Sequence, residues 1–118
     1  MNRKVLDIDD VMQRVQDDKE LLLELLDIFE EFYPEKRDAL TGLLEAGDCD
    51  QIRDIVHSIK GAAGNISAKA VHTTCMSLEM MASNGDIEGV RALMPSLDSQ
   101  YVELQKCMAK AKQELKGK

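Results

Sequence analysis

Lys60 follows His57 by three residues, Gly61 by four and Gly64 by seven, within His57-Ser58-Ile59-Lys60-Gly61-Ala62-Ala63-Gly64-Asn65. Wound at about 100° per residue, these four positions share one stripe of a helix, with Ala68 on the same line beyond them. Ile52, Ile55, Val56, Ile59, Ala62, Ala63 and Ile66 form the opposite stripe, apolar throughout, which must face a core. His57 is therefore directed to solvent or to a partner. A neutral imidazole is a nucleophile near physiological pH and can carry a covalent intermediate. Lys60, one turn away, can neutralise an anion bound there.

A histidine in a sequence is ordinarily a surface or structural residue, and the glycines argue against that reading here. Each costs roughly 1 kcal/mol relative to alanine inside a helix. Positions needing only solubility would carry Glu, Lys or Ala. Two glycines on the histidine's own face make sense if something large must approach the imidazole.

This run resembles the signature of the histidine-containing phosphotransfer (HPt) domain of two-component phosphorelays, His-x-x-Lys-Gly followed by small residues. The similarity extends over nearly the whole chain: an acidic start, a leucine-rich helix, a proline-started helix, the histidine helix and two amphipathic stretches. It implies an all-α fold, an antiparallel four-helix bundle with short additional N-terminal helices. It implies that His57 takes a phosphoryl group from a receiver-domain aspartate, or from a hybrid histidine kinase, and delivers it to another response-regulator receiver. The acceptor is then the ring nitrogen farther from the backbone. Lys60 would offset phosphoryl charge, while Gly61 and Gly64 would admit the receiver's loops. No cofactor of the chain's own is implied, and Mg²⁺ is expected from the partner receiver. Such a carrier has no ATP site and is not an enzyme in its own right.

Size and composition agree. The 118 residues make one domain, 1–118 with its core at about 7–115, too short for a kinase with its own nucleotide fold. Leu, Met and Ala abound, while two Phe, two Tyr and no Trp are present, a mix suited to helix–helix packing. The charge of −7, from 15 basic and 22 acidic residues, argues against nucleic acid. Lys106, Lys110, Lys112, Lys116 and Lys118 suit a helix C-terminus. Cys49, Cys75 and Cys107 lack metal-ligand spacing and read as reduced, half-buried thiols of a cytoplasmic protein. No signal peptide or membrane-spanning run is visible. A freestanding monomer is expected rather than a piece of a hybrid kinase.

Along the chain, residues 1–8 should be loose until Leu6 and Ile8 pack, with Asp9 capping a short helix. Asp17 and Glu20 read as a capping box for a helix from about Asp18 to Phe32. Tyr33-Pro34 should end it, because the residue before a proline avoids helical geometry, and Pro34 should start another that stops at Gly47. Asp48 should cap the histidine helix, which ends near Asn65. Ser67 or a neighbour should cap the next, with Val71, Thr74, Cys75, Leu78 and Met81 as its core. Ser83-Asn84-Gly85-Asp86 reads as a turn, and Pro95 predicts a kink or break near Leu93–Pro95 in the last stretch.

Docking a receiver requires apolar surface. Leu22, Leu26, Phe29 and Tyr33 form a row at the edge of the second helix's apolar face and are the first candidate patch; Met76 and Met80 are the second. Asp48, Asp50 and Asp54 read as helix-start charges rather than a metal site, and His72 as a surface or capping residue. Gly61-Ala62-Ala63-Gly64 lacks the setting of a phosphate-binding loop. Two other functions compete with phosphoryl transfer: a non-transferring helical adaptor that binds receiver or kinase domains, and a phosphatase. The retained nucleophile opposes the first, and the lack of any acid, metal or arginine clamp opposes the second.

Overall fold

The computed structural model describes residues 5–117, so the expectations for residues 1–4 and for Lys118 lie outside the described residues. Five helices follow in order: α1 Ile8–Arg14, α2 Lys19–Ala46, α3 Cys49–Asn65, α4 Lys69–Ser83 and α5 Ile87–Lys116. Helices α2 to α5 form an antiparallel four-helix bundle, and α1 packs across one end. Val11, Leu26, Phe29, Ile52, Val56, Ile59, Leu78, Leu97, Leu104 and Met108 lie in one continuous core. Among the described residues, no helix is long and apolar enough to cross a membrane.

Aspartates start four of the helices. Asp7, Asp18, Asp48 and Asp86 each accept a hydrogen bond from the backbone N–H three residues on, satisfying a donor with no partner inside its helix. Asp48 and the end at Asn65 fall where the sequence placed them. Asp9 and Asp17 do not cap: Asp7 and Asp18 take those places, and Asp17 sits at φ 63° in the left-handed turn between α1 and α2. Ala68 begins α4 without a side-chain cap. Ser67, at φ 57°, instead donates its hydroxyl to Asp10 Oδ2 at 2.6 Å.

Neither proline ends a helix. Pro34 lies inside the 28-residue α2 and Pro95 inside the 30-residue α5. Both prolines are exposed, so the carbonyl that each leaves without an N–H donor can turn to water. Their neighbours are held by packing: Tyr33 is buried and stacks on Tyr101 with ring centroids 3.8 Å apart, and Met94 and Leu97 are buried beside Pro95. Burial of these side chains outweighs the local proline penalty of about 3 kcal/mol.

Polar ties fix α2 against α5. Arg37 grips Asp98 with two hydrogen bonds, at 2.6 and 3.0 Å. Arg91 donates to the carbonyl of Leu44 in the last turn of α2. Lys112 bridges Asp27 and Glu30, so it serves interhelical pairing as well as the helix terminus. At the other end of α3, Arg14 donates to the Gly64 carbonyl at 2.9 Å and so anchors α1. Gly47, at φ 71°, closes α2 as expected.

The expected docking row on α2 is overturned as well. Leu22, Leu26, Phe29 and Tyr33 are at most 1% exposed and cannot form a docking patch. They are the centre of the α2 core face. Leu21, Leu25, Ile28 and Phe32 have the same spacing, one residue earlier, and it is in this row that α2 shows apolar surface: Leu21 and Ile28 are exposed. Periodicity alone does not say which of two adjacent rows points inward.

Candidate functional site

The outer face of α3 carries His57, whose side chain is 66% exposed. The apolar stripe behind it, Ile52, Val56, Ile59 and Ala63, is fully buried and sets the rotation of the helix. Ile55 and Ala62, at the edges of that stripe, are half-buried. Ala68 leaves the histidine line, because α3 ends before it and the chain turns; it is buried at the start of α4.

Glu79, on α4, joins the histidine and the lysine. Its Oε2 lies 2.7 Å from His57 Nδ1 and its Oε1 lies 2.6 Å from Lys60 Nζ. The Lys60 hydrogen bond is the largest influence holding this carboxyl below the usual glutamate range, and partial burial opposes it. An ionised carboxylate only accepts hydrogen bonds, so the proton between the two residues belongs on Nδ1. The neutral ring then has its lone pair on Nε2, which points away from Glu79. Lys60 thus pairs with the carboxylate that orients the histidine.

The sequence reading missed Glu79, although a signal was present. It is the only acidic residue of α4. Two antiparallel helices joined by a short turn set residues opposite one another about a mirror point, and the mirror that brings Gly64 against His72 brings His57 against Glu79.

The two glycines differ in their surroundings. A Cβ at Gly61 would meet nothing within 4 Å, so packing within this chain does not require glycine there. A Cβ at Gly64 would come 3.5 Å from His72 Cδ2, an ordinary contact. His72 is half-buried against that last turn of α3. Cys75, one turn before Glu79, is buried, and burial pushes its thiol up to about 12, too high to act as a nucleophile. Met76 and Met80, the second candidate patch, are 49% and 67% exposed and flank Glu79 on the outer face of α4. Among the described residues, no three His, Cys, Asp or Glu side chains are grouped so as to hold a metal ion.

Comparison with known proteins is consistent in kind. The family model described as the Hpt domain matches residues 24–114. No curated protein matches the chain. The crystal structure of histidine-containing phosphotransfer protein B from Pseudomonas aeruginosa is similar at a TM-score of 0.83 and 27% identity, over 99% of each chain. A histidine-containing phosphotransfer protein from maize shares the fold at a TM-score of 0.78 and 19% identity, over 94% of this chain and 87% of that one. A putative one from rice does so at 0.77 and 19%, over 95% and 84%. With the match covering most of the bundle, including α3 and α4, the chain belongs to the Hpt-domain family of phosphotransfer proteins of two-component phosphorelays.

Proposed function

We propose that His57 is the phosphoacceptor, taking a phosphoryl group from a receiver-domain aspartate, or from a hybrid kinase, and passing it to a second receiver. The observation that carries this reading is the exposed ring held at Nδ1 by Glu79, which leaves Nε2 as the nitrogen on the far side of the ring from that contact. In the forward step the Nε2 lone pair attacks phosphorus while the bond from phosphorus to the aspartyl oxygen breaks. The aspartate leaves as a carboxylate, and a P–N bond forms. The ring then carries positive charge, which the proton on Nδ1 shares with Glu79. Delivery to the next aspartate reverses each bond change.

Transfer of this kind depends on in-line positioning and charge neutralisation. The chain supplies the oriented nucleophile and Lys60, 2.6 Å from Glu79 and within a turn of the imidazole. The Mg²⁺ ion that balances the phosphoryl oxygens belongs, on this reading, to the receiver. Gly61 leaves open space where the receiver's active-site loops must approach. Met76 and Met80, exposed beside Glu79, offer adaptable apolar contact at the same level of the bundle. The chain acts as a carrier: one phosphoryl group in, one out.

The test is transfer from a purified phosphorylated receiver to wild type and to His57→Gln in parallel. Label on wild type alone, stable to alkali and labile to acid, is expected. Equal label on both proteins would move the acceptor elsewhere. Label on neither, despite binding of the receiver, would favour the adaptor reading.

A further inference from the structure

Four arginines lie among the described residues, and three of them tie the bundle together. Arg14 donates to the Gly64 carbonyl, Arg37 grips Asp98 with two hydrogen bonds, and Arg91 donates to the Leu44 carbonyl and to Glu88. Arg53 does nothing of the kind. Among the described residues its guanidinium makes no hydrogen bond, and its one ion pair is a 3.5 Å approach to the adjoining Asp54, whose side chain is 73% exposed. Sequence neighbours on a helix point to different sides, so this loose contact holds neither residue in place.

Arg53 stands on α3 one turn before His57. At about 100° per residue it lies about 40° from the histidine around the helix, with Lys60 about 60° round on the same side. Helical side chains lean back over the preceding turn, which sets the His57 ring over the turn that carries Arg53 and brings Lys60 towards the ring from the turn beyond. Two cations thereby bracket the exposed imidazole. Lys60 shares its charge with Glu79, 2.6 Å away. The Arg53 guanidinium keeps all its N–H donors uncommitted within the fold.

A phosphoryl group on Nε2 carries about two negative charges near neutral pH. While a receiver is docked, its Mg²⁺ answers them; once it departs, only this chain's own groups can. A guanidinium presents two parallel N–H groups that match two phosphoryl oxygens, a geometry that an ammonium lacks.

We propose that Arg53 is a phosphoryl-binding residue: on phosphorylation its guanidinium leaves Asp54 and takes two oxygens of the phosphoryl group on His57, holding that group between one receiver and the next. The role rests on His57 as the phosphoacceptor. Asp54 opposes it, competing for Arg53 in the free protein and repelling the phosphoryl group in the loaded one. The pair sets how far the equilibrium with a receiver aspartate lies towards phosphohistidine.

The test is the equilibrium division of phosphoryl label between a purified receiver and this protein. That ratio compares separated end states, so it does not depend on how tightly the two proteins dock. Arg53→Gln is expected to move it about fivefold towards the receiver, in keeping with an exposed charge-assisted contact, and to leave the melting temperature unchanged. Asp54→Asn should move it towards phosphohistidine. Arg53→Lys should recover less than half of the loss, because it keeps the charge without the planar fork. Lys110→Gln, which removes the same charge from an exposed position on α5, should leave the ratio as it is in wild type. In ³¹P spectra of the phosphorylated protein, the phosphoryl group should take up its proton at higher pH in Arg53→Gln than in wild type, since a bound guanidinium favours the dianion. An unchanged ratio in Arg53→Gln would overturn the role, and a change in transfer rate alone would make Arg53 a receiver contact instead. Full recovery by Arg53→Lys, or an equal shift in Lys110→Gln, would reduce the effect to net charge and overturn it as well. Absence of label on wild type is a separate failure, that of the acceptor itself.

Discussion

Glu79 Oε2 sits 2.7 Å from His57 Nδ1, and the other oxygen of the same carboxylate sits 2.6 Å from Lys60 Nζ. One acid on α4 thus orients the exposed imidazole of α3 and is itself held by the lysine one turn along. The imidazole needs both ties: rotation about its side-chain torsions would otherwise spread Nε2 over many directions, and each ordered torsion costs entropy at the moment of reaction.

Removing that orientation should slow transfer without unfolding the bundle. Glu79→Ala is expected to reduce the rate of phosphoryl uptake about tenfold or more, since a hydrogen bond to a charged group contributes roughly 1.5–3 kcal/mol. Rapid-quench kinetics with a phosphorylated receiver, alongside thermal melts, measure both quantities. An unchanged rate would mean that the contact with Glu79 plays no part in transfer.

Gly61 should separate stability from function. Its Cβ position is open, so Gly61→Ala is expected to raise stability by about 0.5–1 kcal/mol through helix propensity. Bulk there meets the incoming receiver, so Gly61→Arg should leave the melting temperature close to that of wild type and cut transfer by at least tenfold. A Gly61→Arg protein that transfers normally would show that the receiver does not approach over this face.

The carboxyl of Glu79 is held below its ordinary value of 4.5, chiefly by Lys60. A group whose pKa is lowered on folding stabilises the fold fully above its unfolded value, and that contribution disappears as pH falls through the folded value. The stability advantage of wild type over Glu79→Gln should therefore be flat from neutrality to about pH 5 and shrink on further acidification. Denaturant titrations across that range measure it. An advantage that grows in acid would contradict the ion pair.

The two adjacent rows of α2 should respond very differently to truncation. Leu26 is fully buried, so Leu26→Ala is expected to cost about 2–5 kcal/mol. Ile28 is 59% exposed, and Ile28→Ala should cost at most about 0.5 kcal/mol. Similar losses in equilibrium unfolding would place the core face of α2 elsewhere.

The contrast between these rows also shows where sequence reasoning reached its limit. The histidine helix was legible because Asp48, the apolar stripe and the glycines all specify one rotation of α3. On α2, leucines and aromatics populate two neighbouring rows, so composition left the inward direction open, and only packing against α3 and α5 resolves it. Pro34 and Pro95 misled for a related reason. Their local penalty is real, but the stacking of Tyr33 on Tyr101 and the burial of Leu97 are tertiary effects that no local rule contains. Glu79 was invisible to a motif read along one helix, because its partners belong to the next.

The chemical identity of the phosphorylated atom decides whether Glu79 directs Nε2 to the incoming phosphoryl group. Wild-type protein labelled with ¹⁵N in its histidines is phosphorylated by a phosphorylated receiver, and ³¹P and long-range ¹H–¹⁵N spectra assign the bond. A single phosphohistidine at His57 is expected, with phosphorus on Nε2 and the proton retained on Nδ1. Phosphorus on Nδ1, or on His72, would contradict it.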